Sequence, residues 1–172
     1  MKCNNKGMSL VEIIIVIGMM SIILGVVGYS VAFSSSKHVD ECAQKLASAI
    51  QHCRTVTMGK NETTITISYD ASGKVVVSEN VTRVNSSGAL VSSSDQKVVG
   101  KKGLEITYSV SGAGDKSLSS EPLTLKFNRG NGSLEATNGS ESALCTKIVV
   151  SREFDSKTIE IIPITGKVSL VD

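Results

Sequence analysis

The side chains able to do chemistry are few and scattered. Glu12 is a lone carboxylate at the edge of a long apolar run, because Ile13 to Phe33 contains no charged residue. A carboxylate in an apolar setting needs a cationic partner or carries a cost, about 2.5–3.5 kcal/mol near the centre of a bilayer. The thiols are Cys3, Cys42, Cys53 and Cys145, and the imidazoles are His38 and His52. No CxxC pair or Cys/His spacing suggests zinc, and both histidines read as surface residues of a helix rather than ligands. Glu153 and Asp155 alternate with Arg152 and Lys157, which makes them a solvated strand end rather than an acid/base pair. GxSxG, HExxH, P-loop and GxGxxG-helix motifs are missing from the sequence, so the reading is a non-enzyme with no cofactor and no metal.

Cys3 lies in a short basic segment with Lys2 and Lys6. Of the other three thiols, Cys42 and Cys53 on one continuous helix stand about 16 Å apart, beyond disulfide reach. A single bridge would therefore join Cys145 to Cys53 or to Cys42. The alternative is that all three are buried thiols acting as small hydrophobes.

The elements that must hold these groups follow from patterning. At 172 residues and 41% apolar content the chain can bury a core as one domain with an appendage. Aromatics make up 3% and Trp is absent, so no base-stacking surface is present. The net charge of +2 falls to neutral if a leader containing Lys2 and Lys6 is removed, and no nucleic-acid partner is expected. Ile13–Phe33 is long enough, at about 31 Å, to read as a membrane-spanning helix with the basic end inside. From Ser34 to Met58 the apolar residues Val39, Cys42, Leu46, Ala49, Cys53 and Val56 recur every three or four positions, predicting an amphipathic helix packed on a head and stopped at Gly59.

Past Gly59 the period changes to two. Strands are predicted at 63–69, from Lys74 onward, and at 104–110, 123–127, 145–151, 158–164 and 167–171. Loops are predicted at the Ser-, Gly- and Asn-rich stretches 85–88, 92–95, 112–120, 128–133 and 137–142. The expected fold class is α+β: a long N-terminal helix, membrane-spanning in its first half, packed on an antiparallel sheet or sandwich head. Its expected divisions are a leader at 1–7, a transmembrane helix at 8–33, an amphipathic continuation at 34–58 and a β-rich head at 59–172. Asn80, Asn85 and Asn138 head N-x-S/T triplets of the kind that arise by chance in a Ser/Thr-rich chain.

The junction Lys6-Gly7-Met8-Ser9-Leu10-Val11-Glu12, running into Ile13-Ile14-Ile15-Val16-Ile17, resembles the N-terminal signal of type IV pilins and pseudopilins. The resemblance implies cleavage between Gly7 and Met8 by a prepilin peptidase and N-methylation of Met8. It also implies an assembly role for Glu12, whose carboxylate would meet the charged amino terminus of a neighbouring subunit. A second set of short motifs runs from Ala43 to Arg54, then Phe127-Asn-Arg-Gly130, then Thr165-Gly166-Lys167-Val168. It looks like the H-type minor pseudopilins of type II secretion and related fimbrial minor pilins. Tyr29 stands where major pilins usually carry a proline, which also leans toward a minor subunit. Read on its own, the same set is hairpin chemistry, with Gly130 and Gly166 as turn residues and Phe127 and Val168 as core.

The function implied is a structural minor pilin or pseudopilin that assembles through its N-terminal helix into a type IV pilus or a type II secretion pseudopilus. Its partners would be other pilin or pseudopilin subunits, the prepilin peptidase/methylase and an inner-membrane assembly platform. The expected location is the inner membrane, single-pass with the head outside, and then a periplasmic or extracellular filament. The alternative is a tip or surface pilin whose head binds DNA, a secreted substrate or a host surface.

Overall fold

The computed structural model describes residues 9–59, 61–84, 89–153 and 155–171, with the side chains of 27–35 and 84 outside that description. The backbone is helical over α1 (Leu10–Met58), and ten strands follow among the described residues. The chain divides into two compact units, Met1–Ser35 and Ser36–Asp172, so α1 contributes a separate stretch to each, 10–26 and 36–58.

This corrects the expected fold class and location. The fold is mostly antiparallel sheet, rather than α+β built on one long, membrane-spanning helix. Among the described residues no helix is long and apolar enough to cross a membrane. Single-pass anchoring in the inner membrane is therefore not supported.

Two five-stranded sheets make up the second unit. The first has the order β3 (Leu90–Gly100), β2 (Val75–Val84), β1 (Glu62–Tyr69), β6 (Leu123–Phe127), β7 (Leu134–Thr137). The second has the order β10 (Lys167–Val171), β9 (Asp155–Ile162), β8 (Cys145–Arg152), β4 (Glu105–Val110), β5 (Gly114–Ser117). Every ladder is antiparallel. Alternation in the sequence becomes alternation in burial: Thr63, Ile65 and Ile67 of β1 point inward, as do Ile106, Tyr108 and Val110 of β4. Register then places apolar side chains opposite one another, Ile65 with Leu125, Ile148 with Tyr108 and Ile159, and Ile161 with Val168. Such cross-strand pairs are the unit of sheet stabilisation.

Val39, Cys42, Ala43, Leu46, Ala47, Ile50 and Cys53 form the buried face of the 36–58 stretch, and they join the inward residues of both sheets in one core. Burial of a residue such as Leu46 or Ile50, both fully covered, contributes about 1.5–3 kcal/mol each. Gly100 permits the close approach of helix and sheet, since a Cβ there would stand 2.7 Å from the Cys42 sulfur. The stretch ends after Met58, where the Gly59 amide bonds the carbonyls of Thr55 and Val56.

Three strands were not expected from the sequence. Residues 92–95, read as a loop, lie inside β3, and residues 114–117 of the predicted loop 112–120 form β5. β7 had no signal either, and the strand expected to run to 164 ends at Ile162, with Pro163 in the turn. The cause in β3 is that residues 90–98 are exposed on both faces, so no alternation of polarity is required, and the ladder to β2 alone holds the strand.

Candidate functional site

The first unit presents an apolar surface with one acid. Leu10 to Val26 has every described side chain exposed, including Leu10, Ile14, Ile17, Met19, Ile22 and Leu24. Ser9 opens the helix, its carbonyl accepting from the amides of Glu12 at 3.0 Å and Ile13 at 3.2 Å. Glu12 lies in the first turn, where a carboxylate is favoured by the unpaired amides of the helix start. A helix that is apolar on all sides and bare requires a partner that covers it. Gly7 and Met8, the two residues of the expected processing site, lie outside the described residues.

In the second unit, the end of the 43–54 segment meets the 165–168 segment and the 132–134 stretch that follows 127–130. Arg54 Nε donates to the Gly132 carbonyl at 3.1 Å, Gln51 Nε2 donates to the Val168 carbonyl at 3.1 Å, and the Leu134 amide donates to the Pro163 carbonyl at 2.8 Å. These bonds tie the end of the 36–58 stretch to the β6–β7 turn and to β10, and tie β7 to the β9–β10 turn. Two glycines make the contact feasible. Gly132 (φ 69°) packs on Met58, and Gly166 (φ 63°) packs on the carbonyl of Gly132 with no room for a Cβ. Sequence reasoning chose Gly130 for this turn. Gly130 has no positive φ, and its amide instead bonds Asn128 Oδ1 at 2.8 Å.

Cys42, Cys53 and Cys145 are free thiols in the core, so the structure holds no bridge from Cys145 to Cys53 or to Cys42. Burial pushes each thiol up to about 12, far from thiolate formation at neutral pH. None is poised as a nucleophile. His52 Nδ1 lies 3.1 Å from Glu79 Oε2 on β2, and His38 Nε2 lies 3.4 Å from Lys101 Nζ. Among the described residues no group of three or more His, Cys, Asp or Glu could hold a metal. Asp155 pairs in register with Arg152, and Lys157 reaches Asp40 at 3.5 Å.

Asn138 has a role that the sequence did not signal. At φ 48° its Nδ2 donates to the buried Tyr108 hydroxyl at 3.2 Å and to Glu121 Oε1 at 2.9 Å, while its Oδ1 accepts from the Thr124 amide at 2.6 Å. Both amide hydrogens are committed, which leaves this N-x-S triplet unsuited to glycosylation. Glu121 is held below the usual carboxylate range first by Lys116 at 2.9 Å and then by Asn138. Burial raises the Tyr108 hydroxyl, partly opposed by the Asn138 bond.

A cleft of about 570 Å3 runs between the 44–52 part of α1 and the inner face of β2 and β3, floored by Ala49, Val77 and Val99. Glu79, Asp95 and Lys97 rim it from the sheet side. Set against protein-family models, curated proteins and solved structures, the chain matches none.

Proposed function

We propose that this chain is a structural subunit of a pilin-type filament, a minor pilin or pseudopilin, that assembles through its N-terminal apolar stretch. The observation that carries the reading is Leu10–Val26: bare apolar side chains around the helix, with a single carboxylate, Glu12, in the first turn. Like stretches of neighbouring subunits cover that surface. The carboxylate meets the one cation such a bundle supplies at the same level, the amino terminus of an adjacent copy released by cleavage after Gly7. Burying two such charges together is tolerated, whereas either alone is costly. Within the head, Arg54, Gly132 and Gly166 tie the 36–58 stretch to the sheet turns. Prepilin peptidase and an assembly platform are the partners this function requires.

Mass spectrometry of the protein recovered from its native cells tests the processing step. A chain beginning at N-methylated Met8 is expected, with Gly7→Ala blocking its formation. An intact Met1 in protein already incorporated into filaments overturns the reading.

A further inference from the structure

The free edge of β3 offers an independent surface, and its argument does not rest on the pilin reading. Each sheet has two outer strands. Three of them are short: β5 and β7 span four residues each and β10 five. Shortness is one of the ordinary ways in which an edge is kept from pairing with another chain. β3 spans 11 residues, contains no proline, and is exposed from Leu90 to Val98. Its outer backbone groups form a ready template for a further strand.

We propose that β3 pairs antiparallel with β3 of a second copy of this chain, with Gln96 opposite Gln96 on the two-fold axis. The register follows from charge. Asp95 and Lys97 are the only charged residues of the strand. A closed two-fold pairing sets residues of equal parity opposite each other, on the same face of the joined sheet. Centring on Gln96 places Asp95 opposite Lys97 of the second copy, and Lys97 opposite its Asp95. Shifting the centre by one residue sets Asp95 opposite Asp95, or Lys97 opposite Lys97, and like charges directly opposed are destabilising. Both side chains already project toward the cleft side of the sheet, since Glu79 pairs with Asp95 and Val77 with Lys97. The charges select the register and the backbone bonds hold it.

The test uses the full-length chain with Cys3→Ser and one added cysteine. The core thiols Cys42, Cys53 and Cys145 are buried and serve as internal silent sites. Gln96→Cys should form a disulfide-linked dimer under mild oxidation, because residue 96 faces its own copy. Ser94→Cys should not, because its copy lies about 13 Å away along the strands, beyond disulfide reach of about 7 Å. Lys97→Asp should cut the Gln96→Cys dimer yield at least fivefold, and the swap Asp95→Lys with Lys97→Asp should restore it. If the chain associates only through residues 10–26, positions 94 and 96 cross-link equally or not at all, which overturns the proposal. An unchanged yield in Lys97→Asp overturns the register.

Discussion

Gly166 packs against the carbonyl oxygen of Gly132 so closely that a Cβ at 166 would overlap it. Gly166 also holds φ 63°, a region that costs an ordinary residue about 1–2 kcal/mol. Strain and overlap act together, so Gly166→Ala should destabilise the head by about 3 kcal/mol or more. Gly130→Ala meets only the flexible Asn128 side chain at 3.3 Å and should cost less than about 1 kcal/mol. Urea unfolding of the two variants decides the matter: equal losses would show that the 132–166 contact does not fix the turns.

How much of this was legible varies with the physics of each element. The period of two in β1, β4 and β6 was readable because one face of each is buried. Val39, Cys42, Leu46 and Cys53 were readable for the same reason, at helical spacing, while Ala43 and Ala47 were too small to add to the signal. β3 and β5 were not readable, since their pattern of exposure gives no alternation. The expected membrane span is not supported, because no helix among the described residues is long and apolar enough to cross a membrane. Of the site, Glu12 and the segments 43–54 and 165–168 stood out by type. Gly132 and Asn138 did not, because their roles depend on positive φ and on contacts between distant segments.

Asn138 holds two strands and the 117–122 turn through one amide. Asn138→Ala removes three side-chain bonds and leaves the Tyr108 hydroxyl without that donor, while keeping a strained φ, so a loss of about 2–4 kcal/mol is expected. Asn138→Gly relieves the backbone but not the bonds and should recover about 1 kcal/mol of that loss. Thermal and urea unfolding measure both. A neutral Asn138→Ala would remove the amide network from the account.

The three core thiols make stability fall in alkali. Their folded values are raised from 9.0 to about 12, so the stability they contribute is fully present below about pH 9 and is lost as pH rises toward 12. The urea midpoint of the wild type should therefore drop between pH 8 and pH 10.5 more steeply than that of Cys53→Ala, although the variant is less stable at pH 7. Alkylation in denaturant without reductant should modify Cys42, Cys53 and Cys145 alike. A bridge from Cys145 would instead leave two of them unmodified.

The central claim is that Leu10–Val26 is an assembly surface whose carboxylate meets the amino terminus of a neighbour. Glu12→Ala leaves the apolar surface intact and removes the partner of that ammonium, a loss on the order of several kcal/mol if the charge stays buried. The most direct measurement is in-cell cross-linking of the full-length chain, comparing wild type with Glu12→Ala at matched levels of folded protein. The account predicts cross-linked subunits in the wild type and at least a tenfold drop in the variant, with the processed monomer accumulating. Cross-linking at wild-type levels in Glu12→Ala would contradict it.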